Sequence, residues 1–253
     1  MNGLGLLVRK ELREQVRTLR LPVIVILFAI LGMISPVFAR YIQEIISAVG
    51  GDQLTGIVPD PVVGDAAVQF TKNLGQFGVL AAILVTMGSV AGERDHGTAA
   101  FLLTKPVTRG AFLGAKVVAI GALLALGTIV AGVLCWVYTA ILFEPLPAGG
   151  FVGTVFLVWL SLAVFAAITF LASVVARSAL VAGGIGIAAL LVAGILSALP
   201  VVGPYLPTGL WGAADVLAVG AIPDPLLGPI VVNVTIIAAA VGLAVWAFRR
   251  QEL

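Results

Sequence analysis

Residues 117–143 read VVAIGALLALGTIVAGVLCWVYTAILF and contain no charged side chain. A helix crosses the hydrocarbon core of a bilayer with about 20 apolar residues, so this stretch is long enough to span a membrane. It lacks the alternating pattern of barrel strands, and backbone groups left unpaired in lipid are too costly for any other spanning structure. The stretch therefore predicts a transmembrane helix.

Five further apolar runs have spanning length. They are residues 21–38, 75–91, 151–176, 178–199 and 227–248. Over the whole chain 61% of residues are hydrophobic and 10% are charged, against about 25% charged in a soluble domain. No stretch between the runs is long or mixed enough to build a core of its own. We therefore expect an all-α polytopic membrane protein with about six transmembrane helices, in a single domain over residues 1–253.

The Lys and Arg residues predict the orientation, because cytoplasmic loops are enriched in them. If the chain crosses the membrane at each of the six runs, 12 of the 14 Lys and Arg residues fall on one side. These 12 lie in residues 1–20, in residues 92–116, at Arg177 and in the tail after residue 248, and the other side receives only Arg40 and Lys72. We expect a multi-pass protein of the cell membrane with both termini and residues 92–116 in the cytoplasm, and with residues 200–226 outside.

Residues 1–20 have a helical period, with an apolar face beside a basic one. The apolar face holds Leu4, Val8, Leu12, Val16 and Leu19, and the basic face holds Arg9, Lys10, Arg13, Arg17 and Arg20. We expect an amphipathic helix at the cytoplasmic membrane surface, with Pro22 at the bend into the first span. Two alternatives stay open: the cations only set the topology, or a signal peptide is cleaved after Ala39.

The six runs contain no Asp, Glu, Lys, Arg or His. Transporters driven by ion gradients keep ionisable groups at membrane depth, and ion channels need charged rings or a carbonyl filter. The composition therefore argues against both classes, and equally against a membrane hydrolase. One cysteine and one histidine make a metal centre on this chain unexpected, because structural and catalytic sites need three or four such ligands. A net charge of +2 gives no indication of nucleic acid.

The charged segment 92–116 is the most informative loop of the sequence. Thr98 can cap a short apolar helix over residues 99–104, and Pro106 would end it. A short apolar helix flanked by charges suits insertion into a groove on another protein. The alternative is a charged connector that only maintains the topology.

Three patches of the chain resemble one family. Within the charged segment Glu93, Gly97, Thr98, Pro106, Val107, Thr108, Arg109, Gly114 and Lys116 follow the pattern Glu-x3-Gly-Thr, an apolar stretch, Pro-x-Ser/Thr-Arg and Gly-x-Lys. Residues 9–14 (RKELRE) and 248–253 (FRRQEL) are similar to the corresponding ends of the same family. The chain thus resembles the type-two ABC exporter permeases, which are membrane-spanning subunits of ATP-driven transporters.

The resemblance implies a division of labour between chains. A separate ABC ATPase subunit would bind the ATP and dock on the amino-terminal helix and the charged loop, and two permease chains, identical or different, would work together. The docking residues so implied are Glu93, Gly97, Thr98, Pro106, Arg109, Lys116, Lys10 and Glu11. The resemblance also implies that part of residues 200–226 re-enters the membrane.

The sequence agrees with an ATPase on another chain. It contains no Gly-x4-Gly-Lys-Ser/Thr motif, and residues 110–116 miss that spacing. We therefore expect an export permease that is not itself an enzyme, carries no cofactor and is surrounded by membrane lipid. A membrane scaffold or assembly factor that transports nothing is the alternative. The sequence indicates neither the substrate nor the direction of transport.

Overall fold

The computed structural model describes residues 3–50, 59–92 and 108–250, and the regular structure within them is helical. The helices are α1 Gly3–Arg17, α2 Arg20–Arg40, α3 Ile42–Gly50, α4 Val63–Asn73, a π-helical turn Leu74–Gly78, α5 Val79–Met87, α6 Arg109–Leu142, α7 Ala148–Val175, α8 Ala179–Leu196, a 3-10 turn Gly203–Tyr205, α9 Gly209–Ala218 and α10 Leu227–Arg249.

Among the described residues, six helical stretches are long and apolar enough to cross a membrane. They are Arg20–Arg40, Val63–Met87, Arg109–Leu142, Ala148–Val175, Ala179–Leu196 and Leu227–Arg249. The expected helical class and number of spans are thereby confirmed. Helix α1 and the end of α10 lie at one end of the bundle, called here the terminal end, and residues 41–50, 59–62 and 143–147 lie at the far end. Which end faces the cytoplasm stays a prediction.

The second span begins well before the expected residues 75–91. It starts at Val63 and runs through α4, the π-helical turn and α5 to Met87. The added turns contain Asp65 and Lys72, so the expectation that the spans hold no ionisable residue is wrong for this helix. The opposite side of α4 carries Ala67 and Phe70, which are fully buried. Burial of that side stabilises a helix that an apolar-run criterion cannot detect.

The third span also begins earlier than expected. Helix α6 starts at Arg109, so residues 109–116 of the predicted loop are helical. Thr108 caps this helix, because its hydroxyl oxygen accepts a hydrogen bond from the Ala111 amide at 3.2 Å.

The bend between α1 and α2 lies at Leu19 and not at the expected Pro22. Leu19 has a φ of 60°, in the left-handed region, and the following residue begins α2. Pro22 falls in the first turn of α2, where a missing amide hydrogen leaves no hydrogen bond unmade. The chain therefore turns within the two residues that separate the helices, Thr18 and Leu19.

Helix α7 occupies the centre of the bundle and contacts α5, α6, α8, α9 and α10. Its side chains Leu157, Leu162, Phe165 and Phe170 are nearly or completely buried. Helices α2 and α6 pack closely against each other, and a Cβ atom at Gly32 of α2 would overlap the carbonyl oxygen of Ala131 in α6. Close approach of this kind is how small residues hold membrane helices together.

Helix α9 packs inside the far half of the bundle. The Trp211 indole nitrogen donates a hydrogen bond to Ser161 Oγ at 2.9 Å, and the Thr154 hydroxyl donates one to the Ala214 carbonyl at 2.7 Å. Trp211 also lies over Gly75, where a Cβ would stand 3.0 Å from its ring. Ser161 and Gly75 lie near the middle of their spans, so α9 reaches about half the depth of the bundle. This geometry suits the expected re-entrant segment, whose position in a bilayer stays a prediction.

Candidate coupling site

Helix α1 turns polar side chains toward the bundle. Glu11 and Gln15 are 9% and 7% exposed and face α6, whereas Leu12 and Val16 are 36% and 56% exposed. The apolar face expected from the sequence therefore points away from the protein. Such a face would be stable against lipid, although the position of α1 at a membrane surface stays a prediction.

A buried ion pair joins α1 to the beginning of α6. The Lys116 ammonium nitrogen lies 3.2 Å from Glu11 Oε2 and 5.1 Å from the centre of the Phe112 ring. The Lys116 side chain is 4% exposed and that of Glu11 is 11% exposed. Loss of one member would leave the other buried charge with one partner fewer, which makes the pair a constraint on the position of α1.

Lys10 extends this ion pair toward the surface. Its ammonium nitrogen lies 3.0 Å from Glu11 Oε1 and 3.1 Å from Glu14 Oε2. Partial burial lowers the pKa of Lys10, but the carboxylates of Glu11 and Glu14 raise it by more, so the pKa is raised overall. Lys10 therefore stays protonated, and Glu11 accepts from two cations.

A small polar cavity lies behind the ion pair. It has a volume of about 20 Å³ and is lined by Glu11, Gln15, Lys116 and Ser89 among others. Gln15 Oε1 and Ser89 Oγ are buried and have no hydrogen-bond partner among the described residues. A cavity above roughly 10–15 Å³ with several polar groups can hold one water molecule. The junction between α1, α6 and the residues after α5 thus has room for a bridging water.

Arg109 fastens the beginning of α6 to the end of α10. Its Nη1 atom donates hydrogen bonds to the carbonyl oxygens of Phe248 at 3.1 Å and Arg249 at 3.2 Å. The last carbonyls of a helix lack partners within it, and positive charge is favourable there. The rings of Phe112 and Phe248 stack beside this contact with their centres 5.9 Å apart.

Ser173 binds the residues that precede the segment 93–107. Its hydroxyl oxygen, on α7, accepts hydrogen bonds from the amides of Val90 and Ala91, both at 3.1 Å. These amides belong to the residues that follow α5 and precede residue 93. The described residues on either side of the segment 93–107 are therefore attached to the bundle, those before it to α7 and those after it to α10 and α1.

The structure describes four of the eight residues predicted to dock an ATPase subunit. The other four, Glu93, Gly97, Thr98 and Pro106, lie outside the described residues. The structure brings Lys10, Glu11 and Lys116 together in one cluster and places Arg109 against α10. A docking role for any of the eight stays a prediction.

Three contributors to this site were not predicted as site residues. Ser173, Gln15 and Phe248 were given no role in docking. Arg109 donates its hydrogen bond to the backbone carbonyl of Phe248. Every residue has such a carbonyl, so no pattern of side chains could indicate this contact. The polar residue Gln15 on an otherwise apolar edge of α1 was the one available signal.

Comparison with known proteins assigns the chain to a family. A sequence profile described as ABC-2 family transporter protein matches residues 6–209. The chain belongs to the ABC-2 transporter family. The match covers most of α1, the first five spans and the candidate site except the end of α10. Proteins of this family are membrane components of transporters and typically work with a separate ATPase subunit.

The chain is also similar to a curated bacterial protein. It is 29% identical to the uncharacterized transmembrane protein YxlG of Bacillus subtilis (strain 168), over 97% of each chain. The similarity therefore extends through α9 and α10, beyond the matched family region. The name of that relative assigns no substrate to it.

Proposed function

We propose that this ABC-2 family protein is the permease subunit of an ATP-driven exporter. Two permease chains would form the passage, and two separate subunits would bind and hydrolyse ATP. The observation that supports this most directly is the attachment of the described residues on either side of the segment 93–107 to different helices of the bundle. A loop held in this way can transmit a displacement at its tip into the spans.

The displacement would follow three contacts. Ser173 would pass it to α7, Arg109 to α10, and the pair of Lys116 with Glu11 to α1. Because α7 contacts five other helices, a movement of its terminal end would change the packing of most of the bundle. The hydrogen bonds of Arg109 and Lys116 involve charged groups and contribute roughly 1.5–3 kcal/mol each, and those of Ser173 about 0.5–1.5 kcal/mol each.

The predicted docking residues would then have two roles. Glu93, Gly97, Thr98 and Pro106 would contact the ATPase subunit directly. Glu11, Lys116 and Arg109, which the fold turns inward, would hold the base of the loop, and Lys10 would lie at the edge of the docking surface.

Purification from native membranes tests this proposal. We expect an ATP-hydrolysing protein to co-purify with the chain, and reconstitution of the two to increase ATP hydrolysis. Glu93→Lys should reduce co-purification, because it reverses a charge in the proposed docking loop. Glu44→Lys is the matched control, since Glu44 is exposed in α3 at the far end. Full binding of the ATPase by Glu93→Lys would contradict the docking role.

The same experiment separates the exporter from a membrane scaffold. A scaffold would leave the rate of ATP hydrolysis unchanged when it is added to the ATPase subunit. An increased rate that depends on Arg109 would favour the permease, because Arg109 links the docking loop to a span.

A further inference from the structure

The far half of the second span carries a polar stripe, defined here as Asp65, Gln69, Lys72 and Gln76. Spacings of four, three and four residues place these side chains on one face of a helix. Asp65, Lys72 and Gln76 are exposed and Gln69 is partly exposed. Phe70 and Leu74, on the opposite face, are fully buried. The stripe therefore points away from the centre of the bundle.

Helices α2 and α9 lie on the two sides of the stripe without covering it. The Asn73 amide nitrogen donates a hydrogen bond to Ser35 Oγ of α2 at 2.9 Å. On the other side the Thr71 hydroxyl donates to the carboxylate of Asp215 in α9, which also interacts electrostatically with Lys72. The stripe thus lies on the exposed face of the span, between its contacts with these two helices.

The exposed face of this span changes from polar to apolar at the π-helical turn. Beyond Gln76 its exposed side chains are Phe77, Leu80 and Leu84, which are 52%, 39% and 60% exposed. A face in contact with lipid along its whole length would be apolar throughout, because polar groups in lipid are costly. Lys72 alone could extend its ammonium group toward the membrane surface. Gln76 lies about 6 Å deeper and its side chain is too short to do so.

A groove of about 440 Å³ adjoins the stripe at the far end. Its polar lining includes Asp60, Asp65, Gln69 and Lys72, and its apolar lining includes Phe38 and Ile42. Small-molecule sites commonly have volumes of roughly 300–1,000 Å³. Charges of both signs beside an apolar wall suit an amphiphile with a zwitterionic polar group.

We infer that the polar stripe borders a water-filled vestibule, open at the far end, which accommodates the polar group of a transported amphiphile. The claim that the amphiphile is transported rests on the proposed function. The boundary between water and lipid is inferred from the stripe alone. The vestibule reaches the depth of Gln76, and Phe77, which is exposed at nearly the same depth but one position further around the helix, lies outside it.

Cysteine labelling tests the boundary. Cys135 is the only cysteine and is buried, so Cys135→Ala provides a background for Gln76→Cys and Phe77→Cys. A charged, membrane-impermeant maleimide is added to vesicles from the side of the far end. We expect Gln76→Cys to react at least about tenfold faster than Phe77→Cys, because the reactive thiolate forms in water and not in lipid.

Adjacent positions make this comparison independent of depth. Gln69→Cys gives a second reporter on the stripe if Gln76→Cys does not accumulate. Equal labelling of the stripe and Phe77→Cys would overturn the inference. So would an unlabelled Gln76→Cys that forms a disulfide between two copies on oxidation, because the stripe would then be a dry contact between permeases.

The ligand class is tested on the same variants. Dodecylphosphocholine below its micelle concentration should slow labelling of Gln69→Cys, while dodecyl maltoside, which carries no charge, should slow it less. Equal effects would overturn the assignment to a zwitterionic group. Labelling requires neither ATPase nor transport, so failure of this inference is distinguishable from failure to recover an ATPase subunit.

Discussion

At the scale of single residues, the ion pair of Glu11 with Lys116 gives the clearest prediction. Glu11→Gln would leave the Lys116 ammonium buried beside a neutral group, and removal of one partner from a buried pair costs about 3–5 kcal/mol. We expect a lower midpoint of thermal unfolding in detergent, measured by loss of the monodisperse peak in size-exclusion chromatography. Arg13→Gln is the control, because Arg13 is exposed on the same helix.

A double variant shows whether the pair itself is responsible. Glu11→Gln combined with Lys116→Met removes both charges, and it should recover a large part of the stability that the single change loses. Additive losses in the double variant would contradict this explanation.

Arg109 supports a second prediction at the residue scale. Arg109→Ala removes the donor to the carbonyl oxygens of Phe248 and Arg249, so the last turn of α10 should open more often. We expect faster hydrogen exchange of the amides in residues 244–250, measured by mass spectrometry. Arg250→Ala is a matched control at the same helix end, because Arg250 stacks on Trp246. Identical exchange in the two variants would contradict the capping role.

At the scale of helices, the contact of α2 with α6 depends on Gly32. A methyl group there would overlap the carbonyl oxygen of Ala131, and overpacking of this kind costs about 1–3 kcal/mol. Gly32→Ala should therefore lower the unfolding midpoint. Gly121→Ala in α6 is the control, because a Cβ there meets no other atom within 4 Å. Equal midpoints for the two variants would show that α2 and α6 can separate without loss.

Sequence patterns predicted the helices to different extents. Apolar runs located five spans within a few residues of the observed bounds, except at the start of α6, where Arg109 and Lys116 interrupt the apolar pattern. They missed the first half of the second span, because Asp65 and Lys72 break the run while the buried Phe70 maintains the fold. A helical-period test of residues 63–76 would have found it.

The site was less predictable than the fold for a physical reason. Glu11 and Lys116 were identified as site residues, but their pairing joins positions 105 apart, which no local pattern encodes. Their expected role, docking of a partner subunit, was implied by the family resemblance and not by any contact that the sequence shows. A charged side chain at a helix junction can equally be buried when a partner charge lies opposite.

At the scale of the whole molecule, an even number of spans predicts both termini on one side of the membrane. A peptide tag at the carboxyl terminus should be inaccessible to antibody in intact cells and accessible after permeabilisation. A tag inserted after Ile222, which is 81% exposed at the far end, should be accessible in both cases. Accessibility of the two tags from the same side would contradict the topology.

An amino-terminal tag completes the topology measurement. It should report the same side as the carboxyl-terminal tag and remain on the mature protein. Its loss with the first 39 residues would show that a signal peptide is cleaved. Retention is expected, because α1 is held to α6 by the pair of Glu11 with Lys116.

The π-helical turn Leu74–Gly78 restricts how the length of this chain can vary. Such a turn bonds each residue to the fifth one along, so it contains one residue more than an α-helical turn. Deletion of one residue would make α4 and α5 a single α-helix and rotate one half by about 100° relative to the other. Lys72 would then turn toward a neighbouring helix while Leu84 kept its place. Related chains are therefore expected to vary in length in their loops and to keep a constant number of residues between these two positions.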